Sequence, residues 1–381
     1  MKFNVQRNQL MESVQDVMKA ISSKTAIPIL SGMKIDVTEE GVKLTGSDSD
    51  ISIESFVPAE EEGIVYVENI EPGSIVLQAK YFPEIVRKLP EQTVEIESDE
   101  QFNVTIRSGS AEFNLNGQDA QEYPQLPKLH TENSFELSVD LLKDLIRQTV
   151  FAVSTSETRP ILTGVNMSIK DQKLQFVATD SHRLAGRSIP LEDSANKELF
   201  SNIVIPGKSL NELNKILDDT QEKIEISVTE NQILFRTKHL NFLSRLLDGN
   251  YPETSRLIPE QSKTNVMIDS KELLHSIDRA SLLAKESRNN VVKLTTKENT
   301  SIEISSNSPE VGKVFEEVTA DTIEGEELKI SFSAKYMMDA LKAINSEKVN
   351  ISFTGAMRPF IIKPAEHEDE ILQLILPVRT Y

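Results

Sequence analysis

The residues best suited to chemistry form a short cluster, Asp180-Ser181-His182, near the middle of the chain. Serine hydrolases use the same three residue types as acid, nucleophile and base. Here the three are neighbours in sequence. Neighbours do not easily place a base on a nucleophile while a third group orients that base. The chain also contains no G-x-S-x-G nucleophile elbow, so the sequence disfavours a hydrolase.

Other catalytic and cofactor signatures are weak. Asp48 and Asp50 could ligate a metal as a D-x-D pair, but the five histidines show no metal-ligand spacing. Neither a phosphate-binding P-loop nor a dinucleotide fingerprint is present. We therefore expect a protein without catalytic residues, metal or cofactor.

Size and composition indicate a multidomain protein. A chain of 381 residues suits two or three domains. It has no cysteine, no apolar stretch long enough for a membrane span and no secretory signal at its start, which favours the cytoplasm. Its net charge of −19 argues, taken alone, against binding nucleic acid.

The chain repeats itself at a spacing of 132 residues. Phe3–Leu10, Phe135–Leu142 and Met267–Leu274 each read as a short strand followed by the start of a helix. Pro28–Gly32 matches Pro160–Gly164 at the same offset. Further matches follow in the same order, so the sequence predicts three copies of one unit.

Asp48 occupies the repeat position of Asp180 and, more loosely, of Asn307. This shared position favours a role at a turn or strand end over metal binding.

Each copy predicts an α+β domain. The order is β-α-β-β-β and then α-β-β-β, with two helices on one side of antiparallel sheets. The predicted domains are 1–128, 129–255 and 256–381. The predicted helices are 8–21, 80–89, 140–153, 208–218, 271–285 and 335–345. The first and its counterpart at 140–153 carry apolar residues at helical spacing over a length near 14 residues.

Charge is divided unequally between these elements. The six predicted helices carry 13 basic and 10 acidic residues, a net of +3, which leaves −22 for the rest of the chain. If all helices faced one surface, that surface could tolerate phosphates while the remainder repelled them. Ordinary solvated helix faces explain the same numbers equally well.

Two features suggest a docking groove. Only the middle copy has His182-Arg183-Leu184 after its turn, and the chain ends in an apolar run, Ile371–Val378. An exposed apolar terminus at a junction would bind partners. The alternative is that the run is simply the last core strand.

Several motifs together resemble the β subunit of bacterial DNA polymerase III. They are the start MKF-x-V, T-D-S-H-R-L-A at Thr179–Ala185, D-G-x-Y-P at Asp248–Pro252 and L-P-V-R at Leu376–Arg379. The resemblance runs the whole length. It implies a crescent of three similar domains that pairs head to tail into a ring around duplex DNA. The ring would be a non-catalytic sliding clamp that gives a polymerase its processivity in DNA replication.

The resemblance also implies three sets of site residues. Basic residues facing DNA would be Lys24, Lys80, Arg87, Lys143, Arg147, Lys208 and Lys215. The homodimer interface would place Phe113 and Leu115 against Leu282 and Leu283 of the partner. A peptide pocket between the second and third domains would comprise Arg159, Leu162, Thr179, Ser181, His182, Arg183, Leu184, Pro252, Arg256, Leu257, Tyr336, Met357, Pro359, Leu374, Ile375, Leu376, Pro377, Val378 and Arg379. The family commonly has glycine where this chain has Ser181.

The partners implied by the resemblance are duplex DNA, bound without sequence preference, the polymerase III catalytic subunit, the clamp loader, and other polymerases and repair proteins with clamp-binding motifs. The implied location is the cytoplasm, on the nucleoid at replication forks. A different class of function is a repeat scaffold or carbohydrate-binding protein that uses its sheets. That protein would be a monomer or open array with no dependence on DNA. An enzyme is the third possibility and would need a cleft of ionisable residues.

Overall fold

The structure, a computed structural model, describes residues 1–125, 134–191, 200–217, 222–284, 290–298, 300–366 and 370–379. The chain divides into two compact units. One contains Met1–Val139 with Lys215–Leu246, and the other contains Asp140–Asn214 with Leu247–Tyr381. His130, His367, the predicted domain boundary at 128 and the predicted helix ends at 218 and 285 lie outside the described residues.

The first repeat has two helices and eleven strands among its described residues. The helices are α1 (Arg7–Met18) and α2 (Phe82–Lys88). The strands are β1 (Lys2–Gln6), β2 (Gly32–Thr38), β3 (Gly41–Ser47), β4 (Ile51–Pro58), β5 (Glu60–Glu61), β6 (Ile64–Val65), β7 (Val67–Glu71), β8 (Gly73–Gln78), β9 (Thr93–Ser98), β10 (Asn103–Ser108) and β11 (Ala111–Asn116).

The second repeat is simpler, with two helices and eight strands described. The helices are α3 (Val139–Arg147) and α4 (Gly207–Ile216). The strands are β12 (Ser134–Ser138), β13 (Gly164–Lys170), β14 (Lys173–Thr179), β15 (Arg183–Pro190), β16 (Ile203–Pro206), β17 (Lys223–Val228), β18 (Gln232–Arg236) and β19 (Leu240–Arg245).

The third repeat again has two helices, with nine strands described. The helices are α5 (Ser270–Ala284) and α6 (Ala334–Ile344). The strands are β20 (Thr264–Asp269), β21 (Val291–Thr296), β22 (Ser301–Ser308), β23 (Gly312–Thr319), β24 (Thr322–Gly325), β25 (Lys329–Ser333), β26 (Lys348–Phe353), β27 (Phe360–Pro364) and β28 (Ile371–Ile375).

The predicted fold class is confirmed, with one correction to the order of elements. A strand precedes the second helix of every repeat: β8, β16 and β25. Each repeat therefore contains two β-α-β-β-β halves, not one such half and a shorter one. The missed strands are brief apolar runs, such as Ile203-Val204-Ile205, that lead directly into a helix. In β8 and β16 the apolar residues are consecutive and do not alternate, and periodicity alone cannot distinguish such a run from the start of the helix that follows. In β25 the alternation is too short to separate from the helical pattern after it.

The predicted helices 8–21 and 140–153 are too long. After α1, the amides of Ala20 and Ile21 bond to carbonyls three residues earlier, so the chain tightens into turns. After α3, the Thr149 hydroxyl donates to the Leu145 carbonyl at 2.6 Å, and a 3₁₀ turn follows at Val150–Ala152. Apolar spacing continues through both tails, but the α-helical hydrogen bonds do not.

Strand pairing joins the repeats. In one unit, the long sheet runs β12-β17-β18-β19-β4-β3-β2-β8, beside the sheet β11-β10-β9-β1-β7. In the other, the long sheet runs β16-β13-β14-β15-β28-β27-β26-β20-β24, beside the sheet β23-β22-β21-β25. We call the β4–β19 pairing the first junction and the β15–β28 pairing the second junction. At each, the last strand of one repeat pairs antiparallel with the strand that ends the first half of the preceding repeat.

The C-terminal apolar run is mostly core. Ile371, Leu374 and Ile375 are buried in β28, whereas Leu376, Pro377 and Val378 beyond it are half-buried. The core-strand alternative is therefore right for residues 371–375, and only the last described residues are open to a ligand.

Candidate peptide-binding site

The T-D-S-H-R segment forms a tight turn between β14 and β15. The Asp180 carboxylate accepts hydrogen bonds from the amides of His182 at 2.9 Å and Arg183 at 3.0 Å. The Thr179 hydroxyl donates to the Arg183 carbonyl at 2.6 Å. Local side-chain bonds of this kind fix a turn without help from elsewhere in the fold.

The same turn occurs in the first repeat, where the Asp48 carboxylate accepts from the amides of Asp50 at 3.1 Å and Ile51 at 2.8 Å. The predicted turn role of Asp48 is confirmed. Asn307, the looser match, is the second-last residue of strand β22 and so lies at a strand end, not in the turn itself.

Ser181 has the backbone conformation that favours glycine. Its φ is +76°, in the left-handed region, and its counterpart Ser49 has φ +79°. A glycine meets no steric penalty there, whereas another residue costs roughly 1–2 kcal/mol. This conformation fits the glycine that the resemblance implies for the position of Ser181.

Arg183 lies at the centre of the site and is only 7 % exposed. Its Nη1 donates to Asp339 at 2.7 Å, its Nε to Asp180 at 3.1 Å and its Nη2 to the Phe151 carbonyl at 2.6 Å. The guanidinium also lies over the rings of Tyr336, at 4.4 Å, and Phe151, at 5.2 Å. This one side chain ties the turn to α6 and to the 3₁₀ turn after α3.

The environment of Arg183 revises its predicted role. Its nitrogen donors already have partners within the protein, and its guanidinium lies over two aromatic rings. Arg183 therefore positions the other residues of the site. A ligand contacting the pocket would meet the residues that Arg183 positions.

The second junction brings several predicted pocket residues together. Leu184 faces Leu374 across the β15–β28 pair, and each is 3 % exposed. Beyond β28, the Leu376 amide donates to the His182 carbonyl at 2.9 Å, and the Val378 amide donates to the Ser331 carbonyl at 2.8 Å. The chain end is therefore fixed beside the turn, with Leu376 through Val378 half-buried.

Other predicted pocket residues are exposed and lie outside this hydrogen-bond network. Leu257 is 51 % exposed and Met357 is 56 % exposed. Arg159, Pro252, Arg256 and Arg379 are exposed as well, whereas Pro359 is half-buried and Leu162 is buried. The exposed leucine and methionine are apolar surface of the kind that binding sites use.

Four residues of the site were absent from the predicted set: Asp180, Phe151, Tyr251 and Asp339. Two of them had a usable signal, since Asp180 lies inside the T-D-S-H-R-L-A motif and Tyr251 inside D-G-x-Y-P. Phe151 and Asp339 come from distant segments and act through contacts with Arg183, which no local pattern shows.

Burial keeps the tyrosines of the site neutral. It raises the pKa of Tyr251 to about 12, and the Tyr251 hydroxyl accepts a hydrogen bond from the Thr179 amide at 2.9 Å. Burial also raises the pKa of Tyr336. Both phenols therefore stay protonated at neutral pH and act by packing and hydrogen bonding.

The predicted DNA-facing residues separate into two groups. Lys24, Lys80, Arg87, Arg147, Lys208 and Lys215 are exposed, as a phosphate contact requires. Lys143 is only 8 % exposed and so offers little surface to a phosphate, and we remove it from the set. With the observed bounds, the six helices carry eleven basic and nine acidic residues, a net of +2 in place of the predicted +3.

The predicted dimer residues lie on outer surfaces of their units. Phe113 and Leu115 belong to β11, the edge strand of its sheet. Phe113 is 37 % exposed and Leu282 on α5 is 63 % exposed, while Leu115 and Leu283 are half-buried.

None of the described helices has both the length and the apolar character needed to span a membrane. Within the same residues, no three histidine, aspartate or glutamate side chains are grouped so that they could hold a metal ion.

Comparison with known proteins gives one family for the whole chain. The match is to the DNA polymerase III beta subunit, with its N-terminal domain over residues 1–127, its central domain over 136–253 and its C-terminal domain over 255–379. The chain is 61 % identical to the beta sliding clamp of Bacillus subtilis across 100 % of both chains.

The same likeness appears in three dimensions. A crystal structure of the DNA polymerase sliding clamp from Bacillus subtilis superposes with a TM-score of 0.96, and the beta chain of DNA polymerase III from Streptococcus pneumoniae with 0.94 at 42 % identity. Each covers 100 % of both chains.

Replacing Arg183 by methionine tests its positioning role. Arg183→Met keeps the side-chain length but leaves the largely buried carboxylate of Asp180 without its ion pair. We expect a loss of about 2–3 kcal/mol in folding free energy and a melting temperature lower by about 5 °C. The control Arg236→Met removes a more exposed ion pair to Glu225 at 3.4 Å and should cost at most about 1 kcal/mol. Calorimetric melting of both variants decides, and equal losses would contradict the role of Arg183.

Proposed function

The chain belongs to the family of DNA polymerase III beta subunits, the β sliding clamps, and on that premise we propose how its own residues build a ring, hold DNA and bind partners. Members of this family are non-catalytic processivity factors of DNA replication. The family match extends over nearly the whole chain, so the alternative of a carbohydrate-binding or scaffold protein has no support.

We infer a head-to-tail homodimer from the strands that the junctions leave unused. At both junctions, the last strand of a repeat pairs with the strand that ends the first half of the preceding repeat. Two such strands remain: β11, the last strand of the first repeat, and β23, which ends the first half of the third repeat. Each is the edge of its sheet among the described strands. Pairing β11 of one copy with β23 of another continues the same rule and closes a ring of two copies. This pair of open edges is the observation that carries the proposal.

The surface around β23 supports an apolar contact. Phe315 on β23 is 66 % exposed, Val311 just before it is 55 % exposed, and Leu282 lies exposed on α5, which packs against β22 and β23. Arg279 on α5 makes an ion pair with Glu316 of β23 and lowers the pKa of that carboxyl. Exposed apolar groups on and beside an open strand edge are typical of a subunit interface.

DNA would be held by the closed ring more than by charge. The six helices carry a net charge of only +2. The predicted DNA-facing set has six exposed basic residues, which are few for a protein of net charge −19. Tight electrostatic binding would anchor the protein to one place, because each phosphate contact adds affinity. A weakly basic lining inside a closed ring permits free movement along duplex DNA without sequence preference.

Partner proteins would bind at the second junction. An extended peptide could insert apolar side chains among Leu257, Met357 and the half-buried Leu376 to Val378, on a floor that Arg183 and Leu184 hold in place. The replicative polymerase, the clamp loader and other polymerases and repair proteins would then exchange at one site. We expect this exchange in the cytoplasm, on the nucleoid at replication forks.

The topological mechanism makes a direct prediction. Once loaded on nicked circular DNA, the protein should remain bound through gel filtration, and it should be lost after the DNA is cut once. The physical reason is that a closed ring can leave linear DNA only over an end. Equal retention on circular and linear DNA would contradict the mechanism.

The proposed dimer contact can be tested with one charge. Leu282→Asp places a carboxylate in the apolar contact, and we expect the mass in solution to fall from two chains to one. Leu257→Asp is the matched control, because Leu257 is similarly exposed but lies outside the proposed interface. Light scattering on both variants measures this, and the interface is wrong if Leu282→Asp keeps the mass of two chains.

The peptide site can be tested from two directions. Leu184→Ala opens the floor of the pocket, and deletion of the last seven residues removes Ile375 through Tyr381. Each should weaken binding of a polymerase-derived peptide at least tenfold and leave the dimer intact. Fluorescence anisotropy measures the affinity, and unchanged affinity in both variants would remove the pocket assignment.

A further inference from the structure

A second cleft lies at the first junction, wholly within the unit formed by Met1–Val139 and Lys215–Leu246. Its volume is about 160 Å³, enough for one or two side chains. The floor belongs to a small apolar cluster that includes Leu30 and Tyr123, so the cleft has a fixed base.

This cleft repeats the construction of the proposed peptide site. Leu30 matches Leu162 at the repeat spacing of 132 residues, and Leu243 faces Ser52 across the β4–β19 pair as Leu374 faces Leu184 across the β15–β28 pair.

The turns beside the two sites also agree. Asp48 and Asp180 each accept amide bonds from the second and third residues that follow. Of the tyrosines that precede Pro124 and Pro252, Tyr123 is buried and Tyr251 is half-buried, and desolvation raises the pKa of each to about 12. The two clefts therefore share a backbone frame and differ in the side chains that line it.

The first difference is a guanidinium in place of a leucine. The Arg245 amide donates to the Asp50 carbonyl at 2.9 Å, which is the bond that Leu376 makes to His182 at the second junction. Arg245 therefore occupies the position of Leu376. Its side chain is exposed, and no ion pair of Arg245 is found among the described residues.

The second difference is an aliphatic side chain in place of a guanidinium. Ile27, which is 43 % exposed, stands where the second site has the exposed Arg159. Ser52 replaces Leu184, and its hydroxyl is bonded to that of Ser47 at 2.7 Å. The first cleft thus offers an exposed aliphatic group, a buried apolar base and, beside Asp50, a cation with no ion pair among the described residues.

We propose that the first-junction cleft is a second peptide-docking site, which binds the carboxyl-terminal end of an extended partner peptide. The terminal carboxylate pairs with Arg245, and the aliphatic side chain of the last residue packs on Ile27, Leu30 and Leu243. Charge complementarity favours this occupant: Asp50 also lines the cleft, but no ion pair of Arg245 is found among the described residues, and the base beside it is apolar. The inference uses the repeat relation to the proposed peptide site, but its binding chemistry is its own.

The test uses acetyl-Ser-Leu with a free carboxylate as the probe and its C-terminal amide as the control. The full chain carries ¹³C-methyl labels on isoleucine and leucine. We expect the carboxylate probe to shift the methyl signals of Ile27, Leu30 and Leu243 at millimolar concentration, and the amide to bind about tenfold more weakly. Signals of Leu374 and Leu376 in the same spectra report the second junction separately.

Arg245→Gln is the test variant. Arg256→Gln, which replaces an exposed arginine of the second site, is the matched control. The proposal requires about a tenfold weaker response at Ile27 in Arg245→Gln and an unchanged one in Arg256→Gln. It is overturned if the three methyl signals do not move, if acid and amide act alike, or if Arg245→Gln binds as the unaltered chain does. Shifts confined to Leu374 and Leu376 would also overturn it while leaving the second-junction site in place.

Discussion

The structure depends on the backbone hydrogen bonds that one repeat offers to the next. A strand at the edge of a sheet exposes a row of amide and carbonyl groups, and two such edges satisfy each other when they pair. At the β4–β19 and β15–β28 junctions, this pairing merges sheets of successive repeats into one. Three repeats in a row make two such junctions. A third junction needs a second copy of the chain, which is why β11 and β23 matter most for the proposed assembly.

Both proposed ligand sites follow from the same pairing. A junction sets a turn of one repeat beside the end of the last strand of the next, and it leaves a cleft where the two meet. At the second junction, Arg183 fixes this cleft through two carboxylates and two aromatic rings. At the first junction, Ile51 stands in its place and is buried. Sequence divergence between the repeats thus changes what each cleft accepts while the backbone stays the same.

Much of this could be predicted from the sequence, because the repeat spacing, the turn motifs and the alternation of the strands are local patterns. The spacing of 132 residues aligns Asp48 with Asp180 and indicates that both lie at turns. What the sequence does not show depends on partners that are distant along the chain. The burial of Lys143 and of Arg183, and the contact of Phe151 and Asp339 with that arginine, are examples. The strands before the second helices were missed for a different reason, since β8 and β16 contain continuous apolar runs without alternation and β25 is too short to display its own periodicity.

The central claim is that β11 and β23 are paired strands in the assembled protein. Amide hydrogen exchange measured strand by strand in solution tests it most directly. The account predicts that the outward amides of Ala111–Asn116 and Gly312–Thr319 exchange as slowly as those of the paired strands β4 and β19. Exchange of these amides at the rate of open edge strands would contradict it.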